Sequence, residues 1–152
     1  MGATELLYLE NLNILEVDAQ VLESYIENRS NTVILNRTAF YPQGGGQPCD
    51  TGIIESKDST FVVNEVKIEN NFVKHIGIFV NGFFKKNELV TCKIDKERRL
   101  FLSRLHSAGH VIDMAVKKLN IGWNQVGLIT FPKALTWNIS EFLITQKKIT
   151  LK

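Results

Sequence analysis

His106 and His110 stand four residues apart in FLSRLHSAGHVIDM, residues 101–114. On an α-helix that spacing places both imidazoles on one side, one turn apart, where they can grip a single metal ion; an ordinary amphipathic helix is the alternative. No Glu follows His106, so the metalloprotease pattern HExxH, in which that Glu is the general base, is not met. Two imidazoles also fall short of the three protein ligands plus water that a catalytic zinc normally takes. Asp113, three residues beyond His110 and on its face, and Asp95 are the carboxylates that could add a donor.

A second group is FYPQGGGQPCDTG, residues 40–52. Three consecutive glycines open backbone angles closed to other residues and let another chain come close, while Pro42 and Pro48 stiffen the flanks. A tight turn between strands would need nothing more. The Lys-Ser/Thr of a phosphate loop and the GxGxxG of a dinucleotide site are both missing.

The elements that must carry these groups change character along the chain. LLYL, NILEVDAQVLESYIEN, TVILN, GIIE, STFVVNEVKIE, NFVKHIGIFV and ELVTCKI read as strands, rich in Val, Ile, Phe and Tyr and broken by the turn formers NN, NG and KDS. Short strands at this density predict a small β-barrel or a curled antiparallel sheet. Asn81-Gly82 suits a two-residue hairpin between HIGIFV and FFKK. From Asp95, a good N-cap, the apolar residues Leu102, Leu105, Val111, Ile112, Ala115 and Val116 approach a helical period, with Lys117 and Lys118 suited to the C-terminal turn. The expected class is α+β, with no flexible linker or internal repeat.

With 152 residues, 44% of them hydrophobic, the chain can bury one good core. A net charge of +2 neither argues for nor excludes RNA. Lys93, Lys96, Arg98, Arg99 and Arg104 do form a local basic patch, readable as an RNA footprint or as a solvated face. Cys49 and Cys92 lie far apart in unlike settings, which argues against a disulfide framework and for a reducing compartment. The acidic N-terminal stretch lacks the basic start and apolar core of a signal peptide, and no run reaches membrane-spanning length; the expected location is cytoplasmic.

Together, TVILNRTAFYPQGGGQPCDTGII and the later IDKERRLFLSRLHSAGHVID resemble the editing module of alanyl-tRNA synthetase and its free-standing AlaX relatives, over roughly residues 5 to 116. The family pattern is a Leu-Asp-x-Thr-x-Phe-Tyr run, a Gly-Gly-Gln-Pro/Asp-x-Gly loop, and then Arg and His-x-x-x-His. The resemblance implies an N-terminal β-barrel over residues 1–90 carrying the Gly-rich loop, and the start of an α+β editing domain over 91–152, related to one in threonyl-tRNA synthetase. It implies hydrolysis of the ester that joins serine or glycine to the terminal adenosine of alanine-specific tRNA. Zinc would be held by His106 and His110 together with a Cys and a His from a downstream CxxxH. Gly44, Gly45, Gly46 and Gln47 would border the pocket or acceptor end, with Gln47 and Gly109, the latter immediately before the second ligand, as the catalytic candidates. Arg99 or Arg104 would face RNA phosphate.

The chain departs from that pattern at several points. Asn36 replaces the usual Asp, and Gly109 stands where several members carry a Thr facing the substrate. No CxxxH exists anywhere in the chain, and the remaining histidine, His75, is expected on a strand or hairpin surface. Family members continue with a Gly-Pro-Tyr-Val-Glu-Tyr run where this chain reads ALTWNIS after Lys133. One added G before codons that encode Ala134 to Ser140 gives Gly-Pro-Tyr-Val-Glu-Tyr-Ile, and the single codon of Trp137 fixes the Val-Glu step. The expectation is a one-base deletion that puts residues 134–152 out of frame. A non-catalytic tRNA-binding or interaction module derived from the family is the alternative function.

Overall fold

The computed structural model describes residues 3–27 and 29–119. Residues 134–152, and with them the expectation of a shifted reading frame, lie outside that range. The elements in chain order are β1 (Glu5–Leu6), α1 (Leu7–Glu10), β2 (Glu16–Glu27), β3 (Ser30–Leu35), β4 (Arg37–Thr38), β5 (Gly52–Glu55), β6 (Thr60–Glu69), β7 (Phe72–Asn81), β8 (Leu89–Ile94) and α2 (Lys96–Leu119). Among the described residues no helix is long and apolar enough to cross a membrane.

Six strands close into a barrel in the order β2-β3-β7-β6-β5-β8, with every neighbouring pair antiparallel. Side chains that point inward along the strands build the core. Val33 and Leu35 from β3, Phe61, Val63 and Val66 from β6, Val73 from β7, and Val90 and Cys92 from β8 fill the interior. Each such apolar side chain contributes roughly 1.5–3 kcal/mol by leaving water. The expected α+β class and small barrel therefore stand. The barrel extends to Ile94, however, so the expected boundary at residue 90 falls within β8.

The turns follow backbone chemistry. Asn70 and Asn71, with φ of 51° and 66°, join β6 to β7 in the left-handed conformation that a tight hairpin needs. Ser56 N donates to Ser59 O at 2.8 Å across KDS. The expected Asn81-Gly82 hairpin does not form, because FFKK is not a strand. Phe84 is instead buried against Phe61 and Phe79, closing the barrel end. Gly82 has φ of 61°, and a Cβ there would collide with Ser59 Oγ, so the chain passes close rather than folding back. LLYL is a second correction: it is one short strand residue followed by α1, with Leu7 and Tyr8 buried.

His75, expected at a strand or hairpin surface, is on β7 but fully buried in the barrel. Its Nδ1 lies 3.0 Å from Val33 O, and its Nε2 lies 2.9 Å from Thr38 Oγ1. A carbonyl can only accept, so Nδ1 carries the proton and Nε2 accepts from the Thr38 hydroxyl. Phe40 N in turn donates to that hydroxyl at 3.1 Å. The imidazole is neutral and fully engaged, and burial lowers its pKa to about 4.

Candidate active site

Helix α2 begins as the sequence predicts: Asp95 Oδ1 accepts from Arg98 N at 3.0 Å, and Asp95 O accepts from Arg99 N at 3.0 Å. Asp95 is thus an N-cap, and its carboxylate is engaged in capping. Lys117 and Lys118 occupy the last turn.

His106 and His110 are brought together as the spacing requires, with Nε2 atoms 2.9 Å apart and ring centroids 4.6 Å apart. His106 is half-buried and His110 exposed. At that distance one ring donates its Nε2 proton to the other, and a divalent cation would replace the shared proton. Zinc is a cation that paired imidazole nitrogens can hold.

The donor set is nonetheless short. Among the described residues no group of three or more His, Cys, Asp or Glu is gathered. The other His and Cys of the sequence, His75, Cys49 and Cys92, are all buried away from this pair. The Cys92 thiol is pushed up to about 12 by burial, with the Asp18 charge adding to the shift, and is no metal ligand there. The described residues therefore fit a two-point anchor and do not fit a closed four-ligand zinc centre.

The glycine run forms the tight turn that local chemistry allows. Gln47 N donates to Gly44 O at 2.9 Å, and Gly45 and Gly46 between them have φ of 56° and 82°, both in the left-handed region. Gly44, Gly45 and Gly46 are exposed and Gln47 half-buried, so the turn presents its backbone outward. Below it, Asp50 N donates to Tyr41 O at 2.9 Å and Asp50 Oδ2 accepts from Tyr41 N at 2.6 Å, which closes the stem.

Arg99 requires a correction. It does not face RNA: it is 5% exposed, and its fork is consumed inside the protein. Nε lies 3.0 Å from both Asp50 oxygens, Nη2 lies 2.5 Å from Asp50 Oδ2 and 2.6 Å from Ala39 O, and Nη1 lies 2.7 Å from Leu12 O. Arg98 Nε also donates to Cys49 O at 3.0 Å, and Lys93 pairs with Glu55. Of the basic patch, Lys96 and Arg104 remain as exposed cations without these ties. Asp50 was not singled out in the sequence, although an Asp three residues beyond the glycine turn and an Arg on the buried stripe of a helix were the available signals.

Asn36 supports the barrel wall, since Gln20 N donates to its Oδ1 at 2.8 Å, and an Asp carboxylate would accept that bond equally well. Gly109 lies half-buried on α2 between the two histidines.

Comparison with known proteins agrees with this architecture. The family profile of class II (A) tRNA synthetases matches residues 4–98, the barrel and the first turn of α2. An alanine–tRNA ligase of Clostridioides difficile is 35% identical over 127 residues, covering 82% of this chain and 14% of the ligase. One from Methanobrevibacter smithii is 37% identical over 119 residues, 76% of this chain and 13% of that protein. The alanyl-tRNA editing protein AlaX-L of Pyrococcus horikoshii is 33% identical over 115 residues, 76% of this chain and 28% of its own length. The chain thus spans between about an eighth and about a quarter of the length of these relatives. A closed barrel bearing the glycine turn, fastened to a helix with paired histidines, makes this chain a member of the alanyl-tRNA synthetase editing-domain family.

Proposed function

We propose that the chain is an aminoacyl-tRNA deacylase that hydrolyses serine or glycine from mischarged alanine tRNA in the cytoplasm. The observation that carries this reading is the convergence of the His106 and His110 Nε2 atoms, 2.9 Å apart, on a helix fastened to the stem of the glycine turn. Editing of this kind is needed because a pocket that accepts alanine excludes glycine and serine by little, and a second site must sort them after charging.

An aminoacyl ester is already activated, so the work of the site is to hold it, admit water and favour the developing oxyanion. The exposed backbone of Gly44 to Gly46 and the Gln47 side chain border the acceptor end, with Gly109 leaving room beside His110. Arg104 meets RNA phosphate, and Arg99 acts from inside the protein. Zinc held by His106 and His110 would supply Lewis acidity toward the amino acid or its carbonyl. With two protein ligands among the described residues, turnover is expected to be slow.

The absence of a third gathered donor among the described residues favours one other reading, a tRNA-binding module without hydrolysis. Incubating the chain with Ser-tRNA for alanine separates them. Ester loss above the spontaneous rate, abolished in His106→Ala, supports the deacylase; salt-dependent tRNA binding with no ester loss supports the module.

A further inference from the structure

Asp50 is the meeting point of two parts of the candidate site. One of its oxygens accepts from Tyr41 N and closes the stem of the glycine turn, while both oxygens receive Arg99 from α2. The side chains of Arg99 and Asp50 are 7% and 2% exposed, so the tie is made away from water, and two carbonyls complete the guanidinium shell. Such a fork fixes direction as well as distance, because a planar guanidinium bound on several sides cannot rotate.

Direction matters because of helical period. At 100° per residue, His106 lies seven residues and His110 eleven residues beyond Arg99, so all three fall within about 20° of one line along the helix. Holding Arg99 therefore aims the paired imidazoles. Among the described residues little else anchors the outer half of α2: Leu102 is buried, but Val111, Ile112 and Met114 are 60%, 52% and 63% exposed. The stem and the stripe are registered through one carboxylate.

We propose that Asp50 and Arg99 are positioning residues, a latch that sets the rotation of α2 so that the paired histidines face the side of the glycine turn. Their bearing on ester hydrolysis rests on the deacylase reading; the latch itself concerns geometry and is tested without substrate or metal. Gly44→Cys and Ser107→Cys place nitroxides on the turn and beside His106. Both sites are exposed, a Cβ at Gly44 meets nothing within 4 Å, and both native thiols are buried. Pulsed electron resonance should show one narrow distance distribution in the parent chain. Arg99→Lys, which keeps the charge and loses the fork, and Asp50→Asn should each broaden it at least twofold while the imidazole resonance of His75 reports an intact barrel. A distribution unchanged in either folded variant overturns the latch, and so does failure of both variants to fold. Deacylation lost together with an unchanged distribution would leave the deacylase reading standing and remove this one.

Discussion

The barrel interior and the outer half of α2 treat histidine in opposite ways. His75 is enclosed by β3, β7 and the Thr38 hydroxyl, with both ring nitrogens engaged and Phe40 edge-on at 5.3 Å. His106 and His110 stand near the surface, and their nitrogens face each other. A ring whose hydrogen bonds are complete inside a core is a structural part. Rings whose nitrogens converge at the surface have coordination left to offer. The latch of Asp50 and Arg99 lies where the two regions meet, and it belongs energetically to the first and functionally to the second.

That contrast can be broken from either side. Asp50→Ala leaves the Arg99 guanidinium buried without its counter-charge, and a loss of about 3–5 kcal/mol is expected in urea unfolding. A smaller effect comes from acid. His75 has its pKa lowered from 6.5 to about 4 in the folded chain, so the unfolded state takes up a proton first as pH falls. Stability from this group is complete above pH 6.5 and drains away down to about pH 4, by about 3 kcal/mol at about 1.4 kcal/mol per pH unit. His75→Phe, followed by unfolding at several pH values, should remove that slope. His106→Ala should shift stability by less than about 0.5 kcal/mol, as surface changes do, while abolishing metal uptake measured by equilibrium dialysis against zinc. Arg104→Ala should be the mildest, lowering the salt slope of tRNA binding by about one without touching the fold.

Much of the barrel is legible in the sequence because runs rich in Val, Ile, Phe and Tyr between turn formers mark strands, and β2, β3, β5, β6, β7 and β8 lie within a few residues of their expected spans. The capping of α2 by Asp95 and the pairing of His106 with His110 are equally local, and both are found. What fails is what depends on distant partners. Arg99 looks like one more surface cation until Asp50, forty-nine residues earlier, arrives beside it. His75 reads as a residue of a strand or hairpin surface, and Thr38 and Val33 decide that it faces inward. Asn81-Gly82 carries a hairpin signature, yet burying Phe84 outweighs pairing FFKK as a strand. LLYL has strand-forming composition, but burial of Leu7 and Tyr8 is reached through a single helical turn.

The role proposed for His106 and His110 is ester hydrolysis on alanine tRNA. The most direct measurement is the rate of serine release from Ser-tRNA for alanine by the purified chain, beside its His106→Ala and His110→Ala variants. Release faster than the spontaneous rate in the parent and equal to it in both variants is the expected result. Release that both variants preserve, or a parent no faster than buffer although it binds the tRNA, would contradict it.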